Sequence, residues 1–250
     1  MTTVDCKDLK RAIETVVCKG KWAIGPSIKT SYLGNEIMIW TEGTKLHLAN
    51  ADNTTFIWTS ITAANIEAIS NVVIDASVAI KYMRNSGSIK ISVKDNKFYM
   101  DKNTGTTSSF PVLTRHPNAD TILRSRKNLS GDIESEDGIS ISERTTLRSV
   151  IKTSSASFSN ALKMCEQVGS GIYHINVKDT HLIISSEDNN ENYQERITLS
   201  EAVSEDAVVE YTGPFHRFLK GNLTIATNTR NPILFKTDDV MILRAPRLRT

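Results

Sequence analysis

The sequence predicts an α+β fold of two similar domains, each built of antiparallel sheets with two helices on one face. Three observations predict it. Short β-prone runs separated by polar turns fill most of the chain. Only four stretches have helical spacing. Strands, a helix and a hairpin then recur in the same order in both halves.

The first helix is expected over Asp5 to Cys18, where Leu9, Ile13, Val16 and Val17 recur on one side. Ile37-Met38-Ile39-Trp40, Leu46-His47-Leu48 and Phe56-Ile57-Trp58 follow as strands, divided by Gly, Asn and Asp. The second helix starts at Asp75, a favourable N-cap, and runs to Asn85 ahead of Gly87. Ile89-Lys90-Ile91-Ser92-Val93 alternates apolar with polar residues. Lys94-Asp95-Asn96-Lys97 then turns the chain into Phe98-Tyr99-Met100. The third helix is expected to begin near Ser142, with Leu147, Val150 and Ile151 as its inner face. Tyr173 to Val177 and Leu182-Ile183-Ile184 form a hairpin around Lys178-Asp179. The fourth helix is a short piece from Pro214 to Lys220, closed by Gly221.

The repeat is clearest in the second part of each half. Val72-Val73-Ile74, a helix, Gly87 and two strands ending near Phe110-Pro111 match a second series. That series is Val208-Val209-Glu210, a helix, Gly221 and two strands ending at Ala245-Pro246. Between the halves, Thr114 to Gly138 is first basic (Arg115, Arg124, Arg126, Lys127), then acidic (Asp132, Glu134, Glu136, Asp137). It reads as a polar connector. The expected domains are 1–113 and 139–250, joined by 114–138.

The formal net charge of +2 says little about nucleic acid, so placement of charge decides. Lys7, Lys10 and Arg11 lie opposite the apolar stripe of the first helix. Lys81 and Arg84 are expected on the second, and His216, Arg217 and Lys220 on the fourth. Arg144, Arg148 and Lys152 stand at i, i+4 and i+8, a single line on a helix. Acidic residues collect in loops, at Glu187 to Glu191, Glu201 to Asp206, and Asp238 with Asp239. Helices sharing one side would make a positive face that follows phosphates without reading bases. For any one helix alone, an ordinary solvated face is the plainer reading.

Catalytic patterns are missing from the sequence. It has no Gly-rich phosphate loop and no GxSxG. His47, His116, His174, His181 and His216 form no HxxxH or HExxH pair, and His47 and His174 read as structural strand residues. Neither enzyme activity, metal nor cofactor is expected. Cys6, Cys18 and Cys165 have no CxxC spacing, which points to a reducing compartment. Charged residues from Asp5 to Arg11 interrupt any apolar leader, and no run nears the roughly 20 apolar residues of a membrane span. A cytoplasmic protein is expected, so Asn53, Asn128 and Asn222 are chance glycosylation triplets.

The C-terminus carries a family resemblance. Val240-Met241-Ile242-Leu243-Arg244-Ala245-Pro246-Arg247-Leu248 resembles the terminal strand and Ala-Pro-basic tail of DNA sliding clamps. Ile74-Asp75 through Tyr82, Gly87, Ile89 to Val93 and Ser109-Phe110-Pro111 resembles the second half of a bacterial clamp domain. The plan covers nearly the whole chain, and the specific match is confined to those two stretches. Arg244 departs from the pattern, and the first domain shows no archaeal or eukaryotic signature. A divergent clamp, viral or from a deep microbial branch, fits.

The resemblance implies a ring-forming processivity factor, a homotrimer of six domains around duplex DNA, helices inside and sheets outside. Its partners would be double-stranded DNA, a DNA polymerase and a clamp loader. Lys7, Lys10, Arg11, Lys81, Arg84, Arg144, Arg148, Lys152, Arg217 and Lys220 would face the DNA. Partner peptides would dock in a groove formed by Ala245, Pro246, Arg247 and Leu248, with Ile122 and Leu123 from the connector. The plain reading of Ile122 and Leu123 is that they pin the connector to the core. Two other readings stand beside the ring: a monomeric or dimeric processivity subunit of this fold, and a β-rich structural or interaction protein.

Overall fold

The computed structural model describes residues 1–21, 29–31, 33–83, 87–102, 105–131 and 133–247. It divides into two compact units, the first of residues 1–19 and 31–122, the second of residues 20–30 together with the chain from Leu123 onward.

From the N-terminus the elements are β1 (Thr2–Asp5), α1 (Cys6–Val16), β2 (Lys19–Lys21), β3 (Lys29–Ser31), β4 (Glu36–Glu42), β5 (Lys45–Ala51), β6 (Thr55–Thr62), β7 (Val72–Asp75), α2 (Ala76–Lys81), β8 (Ser88–Lys94), β9 (Lys97–Lys102) and β10 (Thr106–Pro111), all in the first unit except β2 and β3, which fall mostly in residues 20–30 of the second. Strands run antiparallel in the orders β1-β8-β9-β10 and β6-β5-β4-β7, and β2 pairs with β3. Each expected strand run in this half forms. Asp95 and Asn96, at φ 50° and 55°, make the tight turn between β8 and β9, a conformation Asn and Asp tolerate.

Periodicity makes the core. Leu9, Ile13 and Val16 are fully buried on α1, which lies against β5 and β6. Ile37, Ile39, Leu46, Leu48 and Ile57 present one face to it, and Ile89, Ile91, Phe98 and Met100 come from the other sheet. Both helices are capped by an aspartate, and Asp75 is the cap that the sequence suggests. Asp5 accepts hydrogen bonds from the N–H groups of Lys7 and Asp8 at 2.8 and 3.0 Å. Asp75 accepts from Ser77 and Val78 at 2.8 and 3.2 Å. Asp5→Ala leaves two helix N–H groups without this acceptor, so it is expected to cost about 1 kcal/mol in chemical denaturation. An unchanged midpoint would show that the cap is unimportant.

A buried polar network fixes the segment after β10. Because His116 Nδ1 accepts the Asn118 N–H (2.9 Å), Nε2 carries the proton. It donates to Glu36 O at 2.9 Å and Asn50 Oδ1 at 3.0 Å. Asn118 Nδ2 in turn donates to Ala51 O at 2.9 Å. Burial lowers the His116 pKa, against the opposing effect of the hydrogen bond it donates to the Glu36 carbonyl, and favours this neutral ring.

The second unit contains α3 (Ala119–Leu129), β11 (Glu134–Ser135), β12 (Gly138–Ser142), β13 (Thr145–Leu147), β14 (Ser149–Ser154), α4 (Ser155–Val168), β15 (Ile172–Lys178), β16 (His181–Glu187), β17 (Asn192–Thr198), β18 (Ala207–Thr212), a 3-10 turn Phe215–Phe218, β19 (Asn222–Thr227), β20 (Ile233–Lys236) and β21 (Val240–Arg244). Its strands run in the orders β11-β12-β13, β14-β19-β20-β21 and β17-β16-β15-β18. The division between the units falls inside α3, between Ile122 and Leu123.

The helices differ from those expected. The segment read as a polar connector contains α3. That helix buries Ile122 and Leu129 and places Asp120 in its first turn and Arg126 and Lys127 in its last, which suits the helix dipole. And no helix starts at Ser142. Residues 149–154 form β14, with Ile151 opposite Ile225. The helix begins at Ser155. Ser154 caps it through the Ala156 N–H (3.2 Å), and Gly169 ends it at φ 82°. Its buried face is Phe158, Ala161, Leu162, Cys165 and Val168. The fourth helix shortens to the 3-10 turn.

Aromatic rings join the layers of this unit. Phe235 of β20 lies 5.5 Å from Phe158 of α4 and 5.4 Å from Tyr211 of β18, centroid to centroid. Arg244, the departure before Ala-Pro, is buried. Its guanidinium sits 5.7 Å over the Phe215 ring and donates to Thr212 Oγ1 at 2.9 Å.

Candidate nucleic-acid and partner interfaces

In the first unit the cationic face forms on α1. Burying Leu9, Ala12, Ile13 and Val16 turns Lys7, Lys10 and Arg11 outward. Asp8 and Glu14 share that side. Arg11 pairs with Asp8 at 3.5 Å, and Lys19 with Glu14 at 3.7 Å. Lys81 is exposed at the end of α2, and Arg84 lies outside the described residues.

In the second unit the expected line of charge does not exist. Arg144 sits in the turn between β12 and β13. Arg148 lies between β13 and β14, 4.0 Å from Glu205. Lys152 is on β14, opposite Thr224, which is opposite Lys236. Those three side chains share the sheet face away from the Ile151, Ile225 and Phe235 core row. Lys236 bonds Glu134 there, and that contact, with Lys152 nearby, holds the Glu134 carboxyl below the usual carboxylate range. The physical reason is the strand itself. Ser149 to Ser154 alternates inward and outward with period two, so Lys152 follows the sheet rather than a helix.

The side chains that α4 actually presents are Ser157, Asn160, Lys163, Met164 and Gln167. Lys163 was missed because the helix was placed too early. The signal that finds it is the Phe158, Ala161, Leu162, Cys165 spacing between Ser154 and Gly169. Lys220 is exposed beside the 3-10 turn. Arg217 is half-buried, with Nη2 2.7 Å from Glu166 Oε2. His216 is fully buried against that same carboxylate, 3.4 Å away. Burial, then the positive charges of Arg217 and Lys163, lower its pKa to about 3.

Among the described residues no group of three His, Cys, Asp or Glu side chains converges as metal ligands. No described helix is long and apolar enough to cross a membrane.

No protein-family model matches the chain, and no curated protein matches it. Solved structures do. PCNA of A. fulgidus, in a structure titled for the C-terminal region of FEN-1 bound to it, matches with TM-score 0.69 at 15% identity, covering 100% of both chains. The DNA polymerase III beta subunit of Thermotoga maritima matches with TM-score 0.71 at 11% identity, over 100% of this chain and 66% of that one. The beta subunit of Pseudomonas aeruginosa gives 0.69 at 12% identity, again over 100% and 66%. The chain has the sliding-clamp fold. It spans about two thirds of the bacterial chains it matches.

Two further features of this clamp fold bear on assembly and partners. Among the described residues β10 and β17 stand at the ends of their sheets, one in each unit. A terminal strand offers its outward N–H and C=O groups to another chain. In the second unit, a groove of about 520 Å³ lies beside β18 and the tail, lined by Val208, Glu210, Thr229, Arg230, Pro246 and Arg247. Pro246 and Arg247 thus line a groove. Ala245 is half-buried and does not line it, and Leu248 lies outside the described residues. Of the connector pair, Ile122 is fully buried and Leu123 is 40% exposed without lining the groove. Val208 and Arg230 were not singled out from sequence. An outward valine at 50% exposure in a strand whose buried residues are Ala207, Val209 and Tyr211 is the signal.

Proposed function

We propose that this chain is a DNA sliding clamp, a processivity factor that encircles duplex DNA and tethers a polymerase. The observation that carries the reading is the fold, which matches a clamp over the full length of both chains. The domains would be 1–113 and 139–250 with connector 114–138. Three chains would supply the six domains of a ring, placed on DNA by a clamp loader inside the cell.

The free strands give the ring a physical route. One chain carries β10 on its first unit and β17 on its second. Pairing β10 of each copy with β17 of the next is a head-to-tail contact, which closes into a ring when the rotation fits. It also covers the two exposed edges. The DNA-facing set becomes Lys7, Lys10, Arg11, Lys81, Lys163 and Lys220. Arg144, Arg148 and Lys152 leave it because no helix carries them, and Arg217 leaves it because Glu166 already holds it.

This cationic set is small, and its small size favours a ring over an open processivity subunit. A protein that holds DNA by charge alone needs many phosphate contacts and loses them as salt rises. A closed ring holds DNA topologically, so weak inner contacts suffice and tethered rebinding does the rest.

The test is retention on DNA with the solution mass measured alongside. Light scattering is expected to give the mass of three chains. Loaded protein should stay on nicked circular DNA at moderate salt and run off when the circle is cut. A single-chain mass, or equal retention on circular and linear DNA, would overturn the ring.

A further inference from the structure

The groove beside β18 has a chemistry of its own. Its floor is apolar at Val208 and Pro246, and its rim carries the two exposed guanidinium groups of Arg230 and Arg247. Neither arginine is in an ion pair among the described residues. The one carboxylate in the lining, Glu210, has a side chain only 13% exposed, with Oε1 3.2 Å from His174 Nδ1. The groove therefore presents net positive charge beside an apolar contact.

The backbone of β18 is already engaged along this stretch. Arg230 N–H donates to Val208 O at 3.2 Å, and Arg247 N–H to Glu210 O at 2.7 Å. Val208 N–H donates to Thr229 Oγ1 at 3.2 Å. An occupant cannot add a strand here without breaking these bonds, so side chains must carry recognition.

We propose that the groove selects a partner peptide in which an aliphatic residue, seated on Val208 and Pro246, stands beside an aspartate or glutamate held between Arg230 and Arg247. This deepens the clamp reading and rests on it, because it assumes that the groove is a partner site. Charge complementarity chooses the occupant. Two guanidinium groups at the rim favour a carboxylate, which each can grip with paired N–H donors. They equally disfavour lysine or arginine at that peptide position.

The experiment pans a random 12-residue peptide display library against the full chain, then titrates labelled synthetic copies of the enriched peptides. Titrations use the wild type, Val208→Glu, Val208→Ser and the double variant Arg230→Glu/Arg247→Glu, each checked by thermal melting. Enriched peptides are expected to carry an acid within two positions of an aliphatic residue. Binding should fall by roughly tenfold or more in the double variant. Exchanging the peptide acid for lysine should restore it there and abolish it on the wild type. Peptides that Val208→Glu or Val208→Ser blocks, but that lack the acid or ignore the double variant, would overturn the selectivity and leave the partner groove standing. Peptides indifferent to both Val208 variants would remove the partner groove and the proposal together. Displacement of the peptide by a duplex oligonucleotide would assign the arginines to phosphate instead and overturn the proposal.

Discussion

Exchanging Lys7, Lys10 and Arg11 together for glutamate is expected to reduce retention on circular DNA by two orders of magnitude or more. Each cation near a phosphate releases condensed counterions, and the observed affinity scales with about 0.9 of a power of salt per contact. Reversal removes three attractive charges and adds three repulsive ones inside the proposed ring. The fold should survive, because Leu9, Ile13 and Val16 supply the buried face and are untouched. The Arg11–Asp8 pair is half exposed, and such pairs contribute little. Glutamate at position 7 also sits in the first helical turn, where negative charge is favourable. Gel filtration of loaded circles reads the effect, with melting as the folding control. Lys152→Glu is the matched comparison. It lies on the sheet face away from the Ile151 and Ile225 core row, so it should leave retention unchanged. A triple variant retained like the wild type would discard α1 as the DNA face, and loss of retention in Lys152→Glu would restore the face discarded here.

The contrast between α1 and Lys152 shows what the sequence could and could not reveal. Leu9, Ile13 and Val16 repeat at three and four residues, a spacing that only a helix brings to one side. Arg144, Arg148 and Lys152 repeat at four, a spacing that fits a helix without requiring one. Lys152 lies on β14, where the β-branched pair Val150-Ile151 suits a strand, while Arg144 sits in a turn and Arg148 between two strands. α4 was hidden by its opening, Ser154-Ser155-Ala156-Ser157, since serine favours caps and turns over helix interiors. The hairpins were legible because Asp95-Asn96 and Lys178-Asp179 are local turn signals. The buried contacts were not. His116 meets Asn50 across 66 residues and Glu36 across 80, and no spacing rule reaches so far. Part of the candidate site divides the same way. Pro246 and Arg247 of the tail line the groove and Ala245 does not, while Arg230 enters it from a loop that carries no motif.

His216 should make stability fall on mild acidification. The ring is fully buried, and neither nitrogen makes a hydrogen bond among the described residues. Glu166 and Lys163 face it from α4, Tyr173 from β15 and Arg217 from its own turn. A carboxylate at 3.4 Å alone would favour the imidazolium. Arg217, however, already holds that carboxylate at 2.7 Å, and its positive charge repels a second cation. Burial then wins, and the folded pKa falls to about 3, against about 6.5 in the unfolded chain. The unfolded state therefore binds the extra proton in between. The contribution to stability is complete above about pH 6.5 and is lost as pH falls toward 3, at up to about 1.4 kcal/mol per pH unit. His116, whose pKa burial also lowers, acts in the same direction. His216→Leu removes the titration and keeps an apolar body of similar size. Its denaturation midpoint is expected to match or exceed the wild type at pH 7.5 and to exceed it clearly at pH 5. Parallel acid limbs for the two proteins would show that His216 does not titrate with unfolding. A wild type that gains stability from pH 7 to pH 5 relative to His216→Leu would mean that Glu166, not burial, governs the ring, and that the imidazolium is the folded form.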